Sequence, residues 1–504
     1  MINTSGAVAR NADREPDAVA LIGGGRRLTN AALHARVGEL AAGLAERGVG
    51  PGDVVAVLSE NRVEYVELVL AVNRLGAIYL PLNYRLAPPE WRYILEHAGA
   101  GLVVAEPALC ERMLTDAPDC ERLEFGDELE AVAAAHAGEQ RPDADVGLDD
   151  TQRLMYTSGT TSRPKGVRIT YGNAIFKTLG LSVEFDVTGA DRVLVAGPLY
   201  HVGGMDLPGT GILAHGGSMV ILRRFEPGLV LDAIEAERPT CVWLAPAMVR
   251  GLMERDDLPE RDLASLRFMI NGGEKMPLPL MRRLLDGLPN CRVADAYGLT
   301  ETVGGDTYVD RLHVLDKLGS VGKPVLHLEC QVVLEDGARA GPGETGEICL
   351  RGPKVFGGYW RDDRATAEAI CDGWFHTGDV GRLDADGYLW IVDRMGDLIV
   401  SGGENIASSE VERVLYEHDA ILEAAVVATP DERWGEVPTA YVVAADGVTL
   451  EADALIAHCS ERLARFKVPQ AVEFVEALPR NASGKVLKRE LRDRAERLGD
   501  RRPA

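Results

Sequence analysis

At 504 residues, and at roughly 100–200 residues per domain, the chain is too long for one hydrophobic core and needs at least two packed units. Its 46 % hydrophobic and 26 % charged residues exclude a disordered chain. Fifty-four Lys and Arg against 78 Asp and Glu give a formal charge of −24, a field that repels nucleic acid and anionic membrane, so an anionic substrate must be gripped by local donors and a few placed cations.

The first twenty residues carry Arg10, Asp13, Arg14, Glu15 and Asp17 and no unbroken apolar run, so no signal peptide is expected. No stretch approaches the ~18 apolar residues of a spanning helix, and the expected location is cytoplasmic. Val54–Leu58 reads as a strand, Tyr65–Leu75 as a helix behind the capping residues Ser59 and Asn61, and Ala77–Leu80 as the next strand. Short apolar runs recur at Leu102–Ala105, Leu154–Tyr156, Val193–Ala196, Met219–Leu222, Cys241–Leu244, Phe268–Ile270 and Val293–Ala296, mostly separated by helix-length segments. That alternation predicts parallel strands with crossover helices.

After about residue 320, Gly and Pro punctuate extended runs such as Gln331–Leu334 and Glu347–Leu350, which predicts a hairpin-rich β subdomain at about 320–394. Beyond Asp393–Asp397, helices are expected at Ser409–Glu417 and Ala454–Phe466, and strands at Ala424–Ala428 and Ala440–Ala444. The expected fold is α/β, a large N-terminal domain (1–394) of α/β layers plus the β-rich subdomain, with a small α+β C-terminal domain (395–504). Lys488–Arg502 reads as a solvated helix end. The eight cysteines are scattered with no C-x-x-C pair, as core thiols of a reducing compartment are.

The segment richest in chemistry is Tyr156-Thr157-Ser158-Gly159-Thr160-Thr161-Ser162-Arg163-Pro164-Lys165-Gly166, directly after a strand. Backbone N–H groups opened by glycine, the hydroxyls of Thr157, Ser158, Thr160 and Thr161, and the Lys165 charge suit a polyphosphate. It is not a Walker A motif, because Lys165 follows proline and precedes glycine. An ordinary Ser/Thr/Gly surface loop fits the same composition.

Six further segments stand with this loop: Asn271-Gly272-Gly273-Glu274, Asp295-Ala296-Tyr297-Gly298-Leu299-Thr300-Glu301, Gly373-Trp374-Phe375-His376-Thr377-Gly378-Asp379, Asp393-Arg394, Ser401-Gly402-Gly403-Glu404-Asn405, and Pro479-Arg480-Asn481-Ala482-Ser483-Gly484-Lys485. In content and order they resemble the adenylate-forming superfamily of acyl-CoA synthetases, aryl-CoA ligases, luciferases and peptide-synthetase adenylation domains, over essentially the whole chain. The resemblance implies an AMP-forming acid–thiol ligase: a carboxylate attacks the α-phosphate of ATP, pyrophosphate leaves, and CoA thiol takes the acyl group from the adenylate. The alternative is the same adenylation with a non-CoA acceptor, namely a carrier protein, an amine or an inorganic nucleophile.

Carried over residue by residue, the resemblance assigns Lys485, on a mobile C-terminal domain, to the carboxylate and the developing phosphorane. It assigns Asp379 and Arg394 to the ribose, Tyr297 to adenine, and Gly272, Gly273, Glu274, Asp295 and Gly298 to the edge of the nucleotide site. Glu301 becomes the Mg²⁺ ligand, with Thr300 as a phosphate donor. Gly402, Gly403, Glu404 and Trp434 line the path of the pantetheine arm after the small domain rotates. The acyl pocket is expected between the strand ending near Asn271 and the loop of His201, which either orients the carboxylate or packs as an ordinary loop histidine. Met205, Ala245, Gly298, Val303 and Gly304 suggest apolar walls, compatible with a medium acyl chain or a flat aryl acid. Expected partners are a small carboxylic acid, ATP, Mg²⁺ and CoA, with no nucleic acid and no membrane insertion. A homodimer is compatible with the sequence, which does not fix the oligomeric state. Two departures stand out: Gly396 occupies the hinge where relatives place Asp or Lys, and Ser162 replaces a loop glycine.

Overall fold

The computed structural model describes residues 3–114, 120–157, 164–274, 276–401, 404–431, 433–445, 447–448, 450–480 and 485–499. Among them, strands form four sheets of nine, six, five and five strands. The run Val54–Leu58 shows why the first two are layered. Its Val55 and Val57 enter one core and Val54, Ala56 and Leu58 another, so a strand covered on both faces needs an unbroken apolar run. It pairs in parallel with Ile78–Leu82 and Ala100–Ala105. The nine-stranded sheet centres on Ser218–Ile221, Arg192–Val195, Cys241–Leu244, Phe268–Gly272 and Arg292–Tyr297, all parallel. The expected alternation of parallel strands and crossover helices is therefore present.

Between the two sheets lie the helices Asn30–Glu46 and Val63–Arg74. The second is buried from Tyr65 through Arg74, so it carries apolar residues on every face, not on one stripe. Its one carboxylate inside, Glu67, is fully buried and is met by Arg26 at 2.8 Å and Arg36 at 3.2 Å. Helices Pro227–Glu237, Pro246–Met253 and Leu278–Gly287 cover the far face of the nine-stranded sheet. Pro88–Ala98 and Pro107–Leu114 cover that of the six-stranded one.

The β-rich part is a five-stranded sheet built on Gly346–Arg351, Trp374–Leu383 and Leu389–Arg394. The chain then turns through Met395–Asp397 into a small α+β unit, whose sheet is dominated by the antiparallel pair Ile421–Asp431 and Gly435–Ala444. Gly396 sits in that turn with open space around it, and Arg492 donates to its carbonyl at 3.1 Å while pairing with Asp397 at 2.6 Å.

Two expectations are corrected. The helix expected over Ala454–Phe466 ends at Ser460: the Cys459 carbonyl is shared by the Arg462 and Leu463 amides in a tightened last turn, Ala464 turns extended, and Arg465–Lys467 forms a separate short turn. The C-terminal helix Lys488–Gly499 is not merely solvated. Leu491 and Ala495, one turn apart, pack against Ala425, Val427 and Tyr441, and Lys488 pairs with Glu412 at 2.8 Å.

Candidate active site

Phe268–Gly272 and Arg292–Tyr297 end side by side, at the carboxyl edge where open α/β sheets hold ligands. A Cβ on Gly272 would stand 2.9 Å from the Ala296 carbonyl oxygen, and one on Gly298 would stand 2.3 Å from the Gly305 nitrogen, so backbone alone fits at this edge. Asn271, fully buried, donates to Asp295 at 2.9 Å. The Tyr297 hydroxyl donates to Asp379 Oδ2 at 2.7 Å, and Arg394 Nε lies 3.2 Å from Asp379 Oδ1. Burial first, and the Asp379 charge next, push the Tyr297 phenol well above its usual range. Asp379 itself is buried and faces Arg394 across the strand pair.

At the other end, Thr157 pairs with Lys165 at the base of a hairpin. The loop positions Ser158, Gly159, Thr160, Thr161 and Ser162 lie outside the described residues. The Lys165 ammonium stands 4.8 Å over the Tyr359 ring, and the Tyr359 hydroxyl donates to Glu301 Oε1 at 3.0 Å. Burial pushes the Glu301 carboxyl above the usual carboxylate range, against that hydrogen bond and the Arg394 charge. A buried oxygen donor of this kind fits a hard divalent cation, which would restore its charged form. Thr300 opens the short turn Thr300–Thr302 beside it.

Lys485 reaches this cleft from the small unit. It is half-buried, and burial first, then Arg394, pushes its ammonium down to about 8 against Asp379, Asp397 and Glu274. The strand bridge Arg480–Val486 and the bond from the Leu487 amide to the Pro479 carbonyl at 2.7 Å close the base of its hairpin. Arg480 spans both units: it meets Glu274 at 3.2 Å and Glu423 at 2.8 Å. From the large unit, Arg250 donates to the Leu422 carbonyl at 2.5 Å.

His201 Nδ1 accepts from the Gly203 amide at 3.1 Å, which leaves Nε2 as the ring's donor, and burial pushes its pKa down, keeping it neutral. Its ring lies 6.0 Å from that of Trp243. Trp243 is the site residue that sequence reasoning missed. A Cβ on Gly197 or Gly203 would stand 2.8 or 2.5 Å from the indole, and one on Gly273 would stand 3.7 Å away. The indole thus occupies the space between the His201 loop and the strand ending at Asn271. The signal present in the chain was glycine at Gly197 and Gly203, where the absent side chains leave room for one large ring. Gly304 abuts Val202 and Leu207, each 3.3 Å from a Cβ placed there, while Met205 and Val303 are buried and Ala245 is packed against the core.

Of the pantetheine-path residues, the two described ones, Glu404 and Trp434, are not brought to this cleft. Glu404 and Trp434 are exposed on neighbouring turns of the small unit, joined through the pair Ser401–Gly435. Gly402 and Gly403 lie outside the described residues.

Known proteins resemble this chain over nearly its whole length. Residues 8–360 match the family described as AMP-binding enzyme, and residues 410–485 match the AMP-binding enzyme C-terminal domain. A feruloyl-CoA synthase of Amycolatopsis sp. is 42 % identical over 486 residues, covering 96 % of this chain and 97 % of its own. A 2-succinylbenzoate–CoA ligase of Bacillus velezensis is 39 % identical over 492 residues, covering 96 % of each. The o-succinylbenzoate CoA synthetase of Bacillus subtilis, solved with its acyl-adenylate intermediate, superposes with a TM-score of 0.88 at 35 % identity, covering 97 % of this chain and 98 % of its own. Another structure of that enzyme holds ATP and a magnesium ion. With both parts of the family matched and relatives aligned over nearly the whole length, the chain belongs to the adenylate-forming AMP-binding enzymes, in their acyl- and aryl-CoA ligase branch.

Proposed function

We propose that this chain joins a flat aryl carboxylic acid to CoA. The carboxylate oxygen attacks the α-phosphorus of ATP, pyrophosphate leaves, and the CoA thiolate then displaces AMP from the acyl carbon. The observation that carries this reading is Lys485, delivered by the small unit within electrostatic reach of Asp379, Arg394 and Glu274 of the large one. Two anions meet in such a reaction, and a fixed cation offsets the charge that builds between them. In this reading Asp379 accepts the ribose hydroxyls with Arg394 beside it, Tyr297 with the Gly272–Gly273 and Gly298 edge receives adenine, and Thr157 and Lys165 receive phosphate oxygens. Glu301 holds magnesium, which neutralises phosphate charge when bound, and Thr300 donates to phosphate.

The domain boundary belongs to the same proposal. Residues 1–394 form the nucleotide-binding domain and 395–504 the domain that turns, with Arg394 closing the last strand of the β-rich sheet and Gly396 in the turn that follows. After rotation, Glu404 and Trp434 with the neighbouring glycines replace the Lys485 hairpin and line the thiol's path. A reducing, cytoplasmic setting is supported by eight free cysteines.

Aryl acids are favoured by Trp243, whose large flat indole stands beside the expected acid pocket, 6.0 Å from the His201 imidazole and tilted 36° to it. A panel of aryl, medium-chain and short acids, read by pyrophosphate release with and without CoA, tests the function. Turnover confined to aryl acids, with thioester formed, supports it; adenylate without thioester under any condition assigns another acceptor. Trp243→Ala is expected to shift kcat/KM between a bulky and a small aryl acid by about tenfold or more towards the bulky one. An unchanged ratio would remove Trp243 from the pocket wall.

A further inference from the structure

Asp379 does not lie in a regular strand. Gly346–Arg351 and Trp374–Leu383 pair Cys349 with His376 and Glu347 with Val380. One residue, Ile348, therefore faces three, Thr377, Gly378 and Asp379, and the longer strand bulges there. Gly378 takes a left-handed φ of +70°, which a residue with a side chain rarely adopts. The bulge aims Asp379 at Tyr297 and Arg394.

Such a bulge leaves backbone donors without ladder partners, and the structure supplies them from one side chain and one hydroxyl. Glu347 Oε1 accepts from the Gly378 amide at 3.0 Å, while Oε2 lies 2.7 Å from His376 Nδ1. Thr377 Oγ1 donates to the Ile348 carbonyl at 2.7 Å and accepts from the Asp379 amide at 3.1 Å. Glu347 thus grips both the residue that precedes the irregular segment, His376, and the segment's glycine, without lying among the groups that surround Asp379 on the nucleotide side.

Glu347, Cys349 and His376 also have ligand atoms close enough to suggest a metal site, with Cys349 Sγ 3.5 Å from His376 Nδ1. The 2.7 Å contact between carboxylate and imidazole is a hydrogen bond, and shorter than two ligands of one tetrahedral ion stand apart. The second carboxylate oxygen is already engaged by backbone.

We infer that Glu347 is a positioning residue for nucleotide selection: by pinning the Thr377–Asp379 bulge it fixes the Asp379 carboxylate where it can tell a ribose with hydroxyls from one without. The inference rests on the proposed ribose role of Asp379. Its test therefore compares ATP with 2′,3′-dideoxy-ATP, as the ratio of kcat/KM values, in the full-length enzyme. A general loss of structure lowers both rates, whereas a misplaced Asp379 lowers their ratio. Asp379→Asn is expected to reduce the ratio by about tenfold or more, the effect of losing charge-assisted hydrogen bonds. Glu347→Ala should reduce it to a similar degree, chiefly through KM for ATP. Glu347→Gln, which keeps an acceptor for Gly378 and offers a donor to His376, should stay close to wild type. If Glu347→Ala does not fold, His376→Ala, which frees one side of the carboxylate, carries the test with a smaller fall in the same ratio. A wild-type ratio in Glu347→Ala (or, in its place, His376→Ala) together with a reduced one in Asp379→Asn overturns the inference alone. Wild-type ratios in Asp379→Asn overturn it together with the ribose reading. One equivalent of zinc bound by wild type and lost in Glu347→Ala would also overturn it, by making the cluster a metal centre.

Discussion

Lys485→Ala should lower the adenylation half-reaction by about 10²–10³-fold, the range seen when one preorganised charge-stabilising group is removed. Thioester formation from preformed acyl-adenylate should be largely retained, because in the proposed reaction the lysine acts only on the step that releases pyrophosphate. Pyrophosphate exchange reads the first step and CoA consumption with synthetic adenylate reads the second; equal loss of both would refute the assignment. The pH dependence carries an independent signature. Burial and Arg394 hold the Lys485 ammonium down at about 8, so in the free enzyme the charged form is present below that pH and lost above it. Since kcat/KM reports the free enzyme, kcat/KM for ATP should fall on the alkaline side of about pH 8. Lys485→Arg, whose guanidinium stays charged, should remove that limb whatever its residual activity.

The second large effect is on stability. Lys354 and Asp306 form an ion pair at 2.8 Å with side chains 1 % and 0 % exposed. The ammonium also donates to the Gly304 and Gly305 carbonyls at 3.0 and 2.7 Å, while Asp306 accepts from the Thr302 hydroxyl at 2.5 Å and the Leu299 amide at 3.3 Å. One pair thereby holds both ends of the segment that runs from Tyr297 past Glu301 to the expected acid pocket. Burial pushes the two groups towards neutrality, Lys354 downwards and Asp306 upwards. Lys354→Met leaves the carboxylate buried and uncompensated, and should cost about 3–5 kcal/mol. The double variant Lys354→Met/Asp306→Leu should recover only part of that loss: no charge is left uncompensated, but the Gly304 and Gly305 carbonyls and the Leu299 amide lose their partners. Urea midpoints of the large-domain transition decide it; a single variant as stable as wild type would contradict the burial described.

The layered fold was legible because its strands are covered on both faces, and runs such as Val54–Leu58 and Cys241–Leu244 can be little else in a chain of this period. The cluster proposed to hold the nucleotide, in which Tyr297, Asp379, Arg394 and Lys485 come together, was legible as a set because its residues sit in short segments of distinctive composition. What escaped depends on contacts between distant segments. Trp243 looks like one more apolar residue of a buried strand until three glycines from two other segments are seen to make room for it. Glu347 lies just before the buried run Ile348, Cys349 and Leu350, and only the register against Trp374–Leu383 shows that it faces a bulge. Lys354, one of the largest fully buried side chains, has nothing in its neighbourhood of sequence to announce Asp306. The C-terminal helix was read as solvated because Leu491 and Ala495 are too few to stand out in a charged segment, yet they are the pair that meets the sheet.

The Arg480 crossing has a mechanical consequence. Its partners Glu274 and Glu423 are a quarter exposed or less, 25 % and 22 %, yet water reaches all three groups, so contacts of this kind contribute about 0–1 kcal/mol each. In a small domain that turns as proposed, they would act as a detent, holding it in register without locking it there. Because arginine and lysine share one hairpin, the proposed turning of the small domain would make or break the Arg480 contacts and the placement of the ammonium together, so the acid and the thiol would meet the site only in turn.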